Sequence, residues 1–218
     1  SLILERMARA MMISGPLFLG IQESKSILSW LEFNQPELVQ ELQRIMPLSR
    51  FSAVLQRLAS EGVPLRAVRL IVEALIEYGQ HEREPDALAD YARIALKSQI
   101  FHQYSEADGL HAWLLSPQTE NILREALRQT QTGVFFSLDN DSSAILVSLL
   151  KQAFPARAKH KSVLLVAQDL RSPLRTLLLE EFNHVPVLSF AELGSSSKVK
   201  VLGRFDLDHD DLLYETVA

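Results

Sequence analysis

Three groups of residues have types and spacings that could carry chemistry, and the first is acidic. Asp206, Asp208 and Asp210 alternate along the chain as the first three ligands of a calcium-binding loop do. Asp211 stands where such a loop needs glycine for its sharp turn, and Val217 stands where it needs a bidentate glutamate. The pattern therefore favours a solvated acidic tail at the end of the chain.

The second group is Ser195 and Lys198, which have the S-x-x-K spacing of a serine nucleophile and its lysine base. That chemistry needs both side chains on one helical face, whereas the surrounding letters GSSSKVKV predict a turn that leads into a strand. A simple turn is the preferred interpretation.

The third candidate is Asp169, which follows an apolar strand and precedes a helix. Open α/β sheets place ligand-binding and phosphate-accepting carboxylates at that position, but a helix N-cap belongs there as well. A cap is the favoured role. The alternative function that Asp169 leaves open is a small α/β phosphate- or ligand-binding regulatory domain centred on this carboxylate.

Composition and residue spacing argue against several other kinds of functional site. The chain has 218 residues, no cysteine and a net charge of −5, which excludes thiolate zinc sites and disfavours a broad electrostatic footprint on nucleic acid. Neither of the two common glycine-rich phosphate cradles is present. The six histidines have no paired-ligand spacing. We therefore predict no cofactor, no metal and no catalytic residue.

A line of charges on a predicted helix over 65–79 is more informative. Arg66, Arg69, Glu73 and Glu77 are spaced by three, four and four residues, so they form one stripe on a helix that is otherwise apolar. Arginines at the start and glutamates at the end oppose the helix dipole, at about 0.3–1 kcal/mol per exposed charge. Local helix physics therefore does not explain the stripe.

Two explanations remain for these charges, together with Glu61 at the end of the preceding helix. They pair with neighbouring helices of the same chain, or they face another protein chain and fix its register. We favour the second explanation. The predicted subunit-interface residues are Glu61, Arg66, Arg69, Glu73 and Glu77.

A helix-turn-helix DNA reader is a competing interpretation of this region. A helix over 49–60, a turn at Gly62 to Pro64 and the helix over 65–79 have that outline. A reading helix must expose side chains that reach base edges, whereas only Arg66 and Arg69 qualify here, and the glutamates would be repelled by phosphates. DNA binding is therefore a weak alternative.

The elements that must position these residues change in type near 98–108. The first part predicts helices over 2–13, 17–33, 36–46, 49–60, 65–79 and 85–99. The second part predicts strands over 109–116, 132–139, 162–168, 185–190 and 198–207, between helices over 117–131, 142–154 and 170–182, with Pro173 in a first turn and a tail over 206–218. The fold class is an α+β multidomain chain, with an all-helical N-terminal half followed by an α/β domain with a small mixed sheet.

Four stretches, in order, carry a family resemblance. They are FLGIQESKSILSWLE (18–32), VLQRLASEGVPLRAVRLIVEALIEYG (54–79), DALADYARIALKSQI (86–100) and VPVLSFAELGSSSKVKVLGRFDL (185–207). The sequence resembles the large export-gate subunit of type III secretion systems, and the phrases LSFAEL and VLGRFDL look more like injectisome members than flagellar ones.

The resemblance implies a cytoplasmic, non-enzymatic docking platform that forms a nine-fold ring, in a full-length protein of the bacterial inner membrane. It implies three regions: the end of a first subdomain (1–33), an all-helical ring-building subdomain (34–104) and an α/β subdomain (105–218). The implied partners are chaperone–effector complexes, the gatekeeper, the stalk protein of the ATPase and further copies of the chain. The absence of an initiator Met leads us to expect a fragment of a longer protein.

Overall fold

A computed structural model of the chain describes residues 19–208 and the backbone of 211–214. The helix predicted over 2–13 and the position of Asp210 lie outside the described residues. The chain divides into two compact units between Ile100 and Phe101.

The first unit is helical throughout its described part, as the sequence predicts. Its apolar stripes are buried: Phe51, Val54, Leu55 and Leu58, spaced i, i+3, i+4 and i+7, all lie in the core. Prolines occupy the first turn of two helices, where no amide hydrogen is needed. The helices, with the last continuing past the division, are α1 (Ile21–Asn34), α2 (Pro36–Ile45), α3 (Leu48–Ser60), α4 (Val68–Tyr78), α5 (Pro85–Ala95) and α6 (Lys97–Tyr104).

A glycine closes α3 in the left-handed conformation. Gly62 has φ of 70°, its amide donates to the carbonyl of Ala59, and the amide of Val63 donates to the carbonyl of Leu58. These two bonds form a Schellman motif, which satisfies carbonyls that the end of a helix leaves unpaired. The turn predicted at Gly62 to Pro64 is confirmed, and the chain that follows it delays the start of α4 until Val68.

The second unit alternates strands and helices. Its elements are β1 (Leu110–Leu115), α7 (Pro117–Ala126), β2 (Leu127–Thr130), β3 (Gly133–Phe136), α8 (Asn140–Ala153), β4 (Val163–Val166), α9 (Gln168–Leu178), β5 (Val187–Ser189), β6 (Val199–Asp206) and β7 (Asp211–Tyr214). The main sheet has the order β5-β4-β1-β6-β7, with every pairing parallel except β6 with β7. The predicted fold class, including the small mixed sheet, is confirmed.

The centre of this unit is the sheet and the helices packed on it. All four residues of β4 are buried, as expected for a parallel strand covered on both faces. β1 lies between β4 and β6, and its register with β6 shifts at Ala112 and Trp113, where β6 contains one extra residue. α7 begins after Ser116, whose Oγ accepts the Thr119 amide at 3.1 Å.

The helix predicted over 117–131 and the strand predicted over 132–139 need correction. α7 ends at Ala126, and the next residues form an antiparallel hairpin of β2 and β3. Gly133, with φ of 140°, supplies the turn, and the Thr130 hydroxyl donates to the Gly133 carbonyl at 3.0 Å. A β-branched residue and a glycine thus favour the turn over continued helix.

The expected position of Pro173 is wrong. α9 begins at Gln168 because β4 ends at Val166 and Ala167, in an extended conformation, is the N-cap. Pro173 therefore lies inside the helix, and its ring nitrogen cannot donate to the carbonyl of Asp169, four residues earlier. The end of the buried strand, not the proline, determines where the helix starts.

The acidic segment over 206–218 is not a free tail in its described part. β7 pairs with the edge of β6, and Asp206 is the ladder partner of Asp211. Asp206 is buried, and its Oδ1 accepts the Asp208 amide at 3.0 Å. An unpaired strand edge offers a row of backbone donors and acceptors, and pairing with it outweighs the charge density of this segment.

Candidate functional site

Three of the five predicted interface residues, Arg69, Glu73 and Glu77, lie on the exposed face of α4. Val68, Ile71, Val72 and Leu75 point inward and are buried. The outward face carries charges of both signs together with an exposed leucine, and its residues are Arg69, Leu70, Glu73, Glu77 and Tyr78. We call this set the α4 face.

Two of the α4-face charges bind each other. The Arg69 Nε lies 2.8 Å from Glu73 Oε1, and both side chains are well exposed. Such an i, i+4 pair contributes about 0.3–0.5 kcal/mol, so it leaves most of the opposition to the helix dipole uncompensated. Arg66 is exposed in the turn before α4, so it flanks the stripe from outside the helix. Arg69 is therefore the arginine that lies within the first helical turn.

Glu61 lies in a different environment from the other four predicted residues. Its side chain is only 3% exposed, and its Oε2 lies 3.5 Å from Arg57 Nε and 3.9 Å from Arg93 Nη1. Arg57 also approaches the Asp86 carboxylate at 3.6 Å. This buried charge cluster joins the end of α3 to α5, so Glu61 has two cationic partners inside its own unit.

Of the residues in this cluster, the sequence singled out only Glu61. The i, i+4 spacing of Arg57 and Glu61 is visible in the sequence, but Arg93 comes 32 positions after Glu61. Only packing of α3 against α5 brings Arg93 within reach. A second contact that no spacing indicates joins α4 to α5, where the rings of Tyr78 and Tyr91 stack at 3.9 Å with planes 6° apart.

Asp169 is neither the N-cap of α9 nor an open ligand-binding carboxylate. Arg124 on α7 donates to both of its oxygens, from Nε at 2.8 Å and from Nη2 at 3.3 Å. This pairing lowers the pKa of Asp169 and raises that of Arg124, because each charge stabilises the other. The predicted cap is wrong, and the carboxylate instead ties α7 to α9.

The remaining sequence candidates have structural roles. Ser195 lies in a turn, and Lys198 precedes β6, so the expected simple turn is confirmed. The Ser197 hydroxyl closes this turn by accepting the Gly194 amide at 2.9 Å. Side chains that are potential metal ligands gather elsewhere, near the start of β1, in Glu106, Asp108 and His111. Among the described residues, no helix has the length and apolar character needed to cross a bilayer.

The chain and its fold are similar to known proteins. The chain matches the FHIPEP family model over residues 1–198 and belongs to that family. Relatives by sequence include the Hypersensitivity response secretion protein HrpI of Pseudomonas syringae pv. syringae, which is 64% identical over 210 residues covering 96% of this chain. The resemblance carried by the four sequence stretches is thereby confirmed.

Solved structures agree with this assignment. A nonameric SctV-C from EPEC is 34% identical, with a TM-score of 0.80, over 93% of this chain and 61% of that one. The CdsV protein of Chlamydia pneumoniae, in complex with CdsO, is 32% identical, with a TM-score of 0.81, over 94% of this chain and 61% of that one. The chain spans about 30% of the length of HrpI.

Proposed function

We propose that this chain is part of a type III secretion export gate and that it builds a homo-oligomeric ring on the cytoplasmic side of the bacterial inner membrane. The observation that carries the proposal is its similarity, over 93% of its length, to a protein described as nonameric. In that ring the chain acts as a docking platform and not as an enzyme.

The α4 face supports a ring contact on physical grounds. A ring uses a heterologous interface, so one surface of each copy meets a different surface of the next. Charges of both signs around an exposed leucine suit such a contact, because burial of the apolar side chain contributes affinity while opposite charges select register. A ring contact would also explain why α4 carries charges that oppose its helix dipole, because their stabilising partners would lie on the next copy.

The residues proposed for the ring contact are Arg66, Arg69, Glu73 and Glu77. Glu61 lies near them in the chain and supports the contact by holding α3 and α5 together. The proposed regions are 1–33, 34–104 and 105–218, of which the second builds the ring. The similarity to CdsV bound to CdsO supports a further role in receiving partner proteins. We propose that these partners are chaperone–effector complexes, the gatekeeper and the ATPase stalk.

The decisive experiment reverses one charge on the α4 face and one in the turn before it, in the intact cytoplasmic domain, and measures assembly by analytical ultracentrifugation. Arg66→Glu with Arg69→Glu is expected to abolish the ring while circular dichroism stays unchanged. The matched control is Arg44→Glu with Arg157→Glu, which changes the net charge equally at two exposed positions that are not part of the α4 face. The control is expected to assemble normally.

A swap variant separates charge pattern from net charge. Arg69→Glu with Glu73→Arg keeps the net charge and the intrahelical pair. It places an acid in the first turn, where the dipole favours it, and gives the pair the favourable i, i+4 order. The monomer is expected to gain about 0.5 kcal/mol in unfolding free energy, while the ring is lost. If rings form normally in both double variants, the α4 face is not the contact.

A further inference from the structure

Independently of the proposed function, we propose that Glu106, Asp108 and His111, joined by His160, form a binding site for a divalent transition metal such as Zn²⁺ in the second unit. The four residues come from two places in the chain. Glu106 and Asp108 lie in the turn before β1, His111 is the second residue of β1, and His160 lies in the loop before β4. We call these residues the histidine–carboxylate cluster.

The geometry gathers donor atoms from three of the four side chains. One ligand atom each from Glu106, Asp108 and His111 lies within 4.8 Å of the others, and His111 Nε2 is 2.8 Å from Asp108 Oδ1. Ligands of a tetrahedral zinc ion stand about 3.4 Å apart when the metal–ligand bonds are about 2.1 Å. The three donors therefore need shifts of the order of an ångström, which side-chain rotation alone can supply.

His160 is placed to supply a fourth donor. Its Nδ1 lies 3.2 Å from Glu106 Oε2, and its ring centroid is 6.0 Å from that of His111. The side chain is 69% exposed, so it can turn toward an ion at little cost, whereas His111, at 8% exposure, is held in position by the strand. The site thus combines one fixed imidazole with one adjustable imidazole.

The backbone holds the two carboxylates near the start of β1. Glu106 and Gly109 exchange both backbone hydrogen bonds, at 2.9 and 3.0 Å, across a tight turn in which Gly109 has φ of 118°. The Lys161 amide donates to Glu106 Oε1 at 2.8 Å. These contacts preorganise the turn before any ligand arrives, which lowers the cost of ordering the site.

The donor set selects the class of metal. Two imidazole nitrogens with two carboxylate oxygens suit Zn²⁺, Mn²⁺ or Ni²⁺, whereas Mg²⁺ and Ca²⁺ prefer oxygen ligands alone. Both carboxylates already accept hydrogen bonds from other donors, Glu106 from the Lys161 amide at 2.8 Å and Asp108 from the Lys200 ammonium at 3.4 Å. They would carry two negative charges to the ion.

One neighbouring charge opposes metal binding. The Lys200 ammonium on β6 lies 3.4 Å from Asp108 Oδ2. A divalent ion must displace this ammonium or share the carboxylate with it, and the two cations repel each other. Lys200→Gln removes that repulsion without touching a ligand, so it is expected to strengthen metal binding. If the cluster had only a structural role, Lys200→Gln would not be expected to strengthen metal binding.

A bound ion would link three parts of the unit. It would join the turn before β1 and the strand itself to the loop before β4, which lies about 50 residues further along the chain. Since an ion that binds only the folded state stabilises it by mass action, thermal stability should rise with metal concentration.

The test titrates ZnCl₂ into the full 218-residue chain by calorimetry in a non-chelating buffer, with imidazole nitrogen shifts followed by NMR. One saturable equivalent is expected, with shifts confined to His111 and His160. Asp108→Asn and His160→Gln should each weaken the affinity at least tenfold, and Lys200→Gln should strengthen it. His102→Gln, an exposed histidine outside the cluster, is the control and should bind as the wild type does.

Three results would overturn the proposal. The first is no saturable binding at one equivalent of Zn²⁺. The second is an affinity that stays unchanged in Asp108→Asn and His160→Gln. The third is an equal loss of affinity in His102→Gln, which would mean that the ion binds surface histidines without a defined site.

Discussion

Replacing Glu61 by glutamine separates a structural role of this residue from an interface role. The change keeps the size of the side chain and removes one charge between the guanidinium groups of Arg57 and Arg93, both of which are buried. If Glu61 serves its own unit, the monomer should lose stability. If it contacts only a neighbouring copy, the stability of the monomer should stay unchanged and ring assembly should weaken.

The magnitude follows from the contacts of the cluster. Removing one partner of a buried ion pair costs about 3–5 kcal/mol, because the other charge stays buried and uncompensated. The lower end applies here, since Arg57 keeps the Asp86 carboxylate at 3.6 Å. Removing an acid from the C-terminal end of α3 also removes an unfavourable interaction with the helix dipole, which stabilises the unit by about 0.5 kcal/mol. We therefore expect a net loss of about 2–3 kcal/mol.

The assay is urea unfolding followed by hydrogen-exchange mass spectrometry, in which peptides from α3 and α5 report on the first unit. With a slope of about 2 kcal/mol per molar urea, the midpoint of these peptides should fall by roughly 1–1.5 M. Peptides from the second unit serve as an internal reference. Glu73→Gln is the matched control, because it breaks only the exposed pair with Arg69 and should cost at most about 0.5 kcal/mol.

An unchanged midpoint for Glu61→Gln would refute the reasoning, since it would mean that the buried cluster contributes nothing to the unit. An equal loss in Glu61→Gln and Glu73→Gln would also refute it, because burial would then not be the cause. Retained stability together with failed ring assembly would place Glu61 at the interface itself.

Three further substitutions test other contacts. Arg175→Leu, which removes hydrogen bonds to two loop carbonyls at 3.0 Å, should cost about 3 kcal/mol in urea unfolding. Gly62→Ala should cost about 1–2 kcal/mol, measured in the same way, because an alanine at φ of 70° is strained. Asp169→Asn should cost less than about 1 kcal/mol at pH 7, because the pair with Arg124 is half exposed. Arg124 lowers the pKa of Asp169 in the folded state. The stability that the Asp169 charge contributes is therefore fully present above the ordinary pKa of 3.8, and in an acid titration it should vanish as pH falls through the lower folded pKa.

Each of these substitutions has its own control and contradicting outcome. Lys151→Met breaks an exposed pair and should cost under about 1 kcal/mol, so a cost equal to that of Arg175→Leu would argue against burial as the cause. Gly194→Ala, at a turn without positive φ, should be tolerated better than Gly62→Ala. A stability difference for Asp169→Asn that persists unchanged down to pH 2 would contradict its assignment to the Asp169 charge.

Local patterns were sufficient for several features of this protein. The stripe from Phe51 to Leu58 predicts a buried face, because apolar spacing of three and four residues can face only one way on a helix. Gly62 predicts the end of α3, since only glycine adopts the required conformation without strain. The charges at Arg69, Glu73 and Glu77 predict a polar stripe on α4 by the same periodicity. Each of these features depends on residues within one or two turns.

Contacts between distant residues were decided only by the tertiary structure. Glu61 meets Arg93, Asp169 meets Arg124, and Glu106 meets His160, over separations of 32, 45 and 54 positions. Charge and residue type alone assigned these acids to an interface, to a cap and to no role at all. The physical reason is that an ionisable side chain reaches only a few ångströms, so its partner is set by how helices and strands pack and not by its neighbours in the chain.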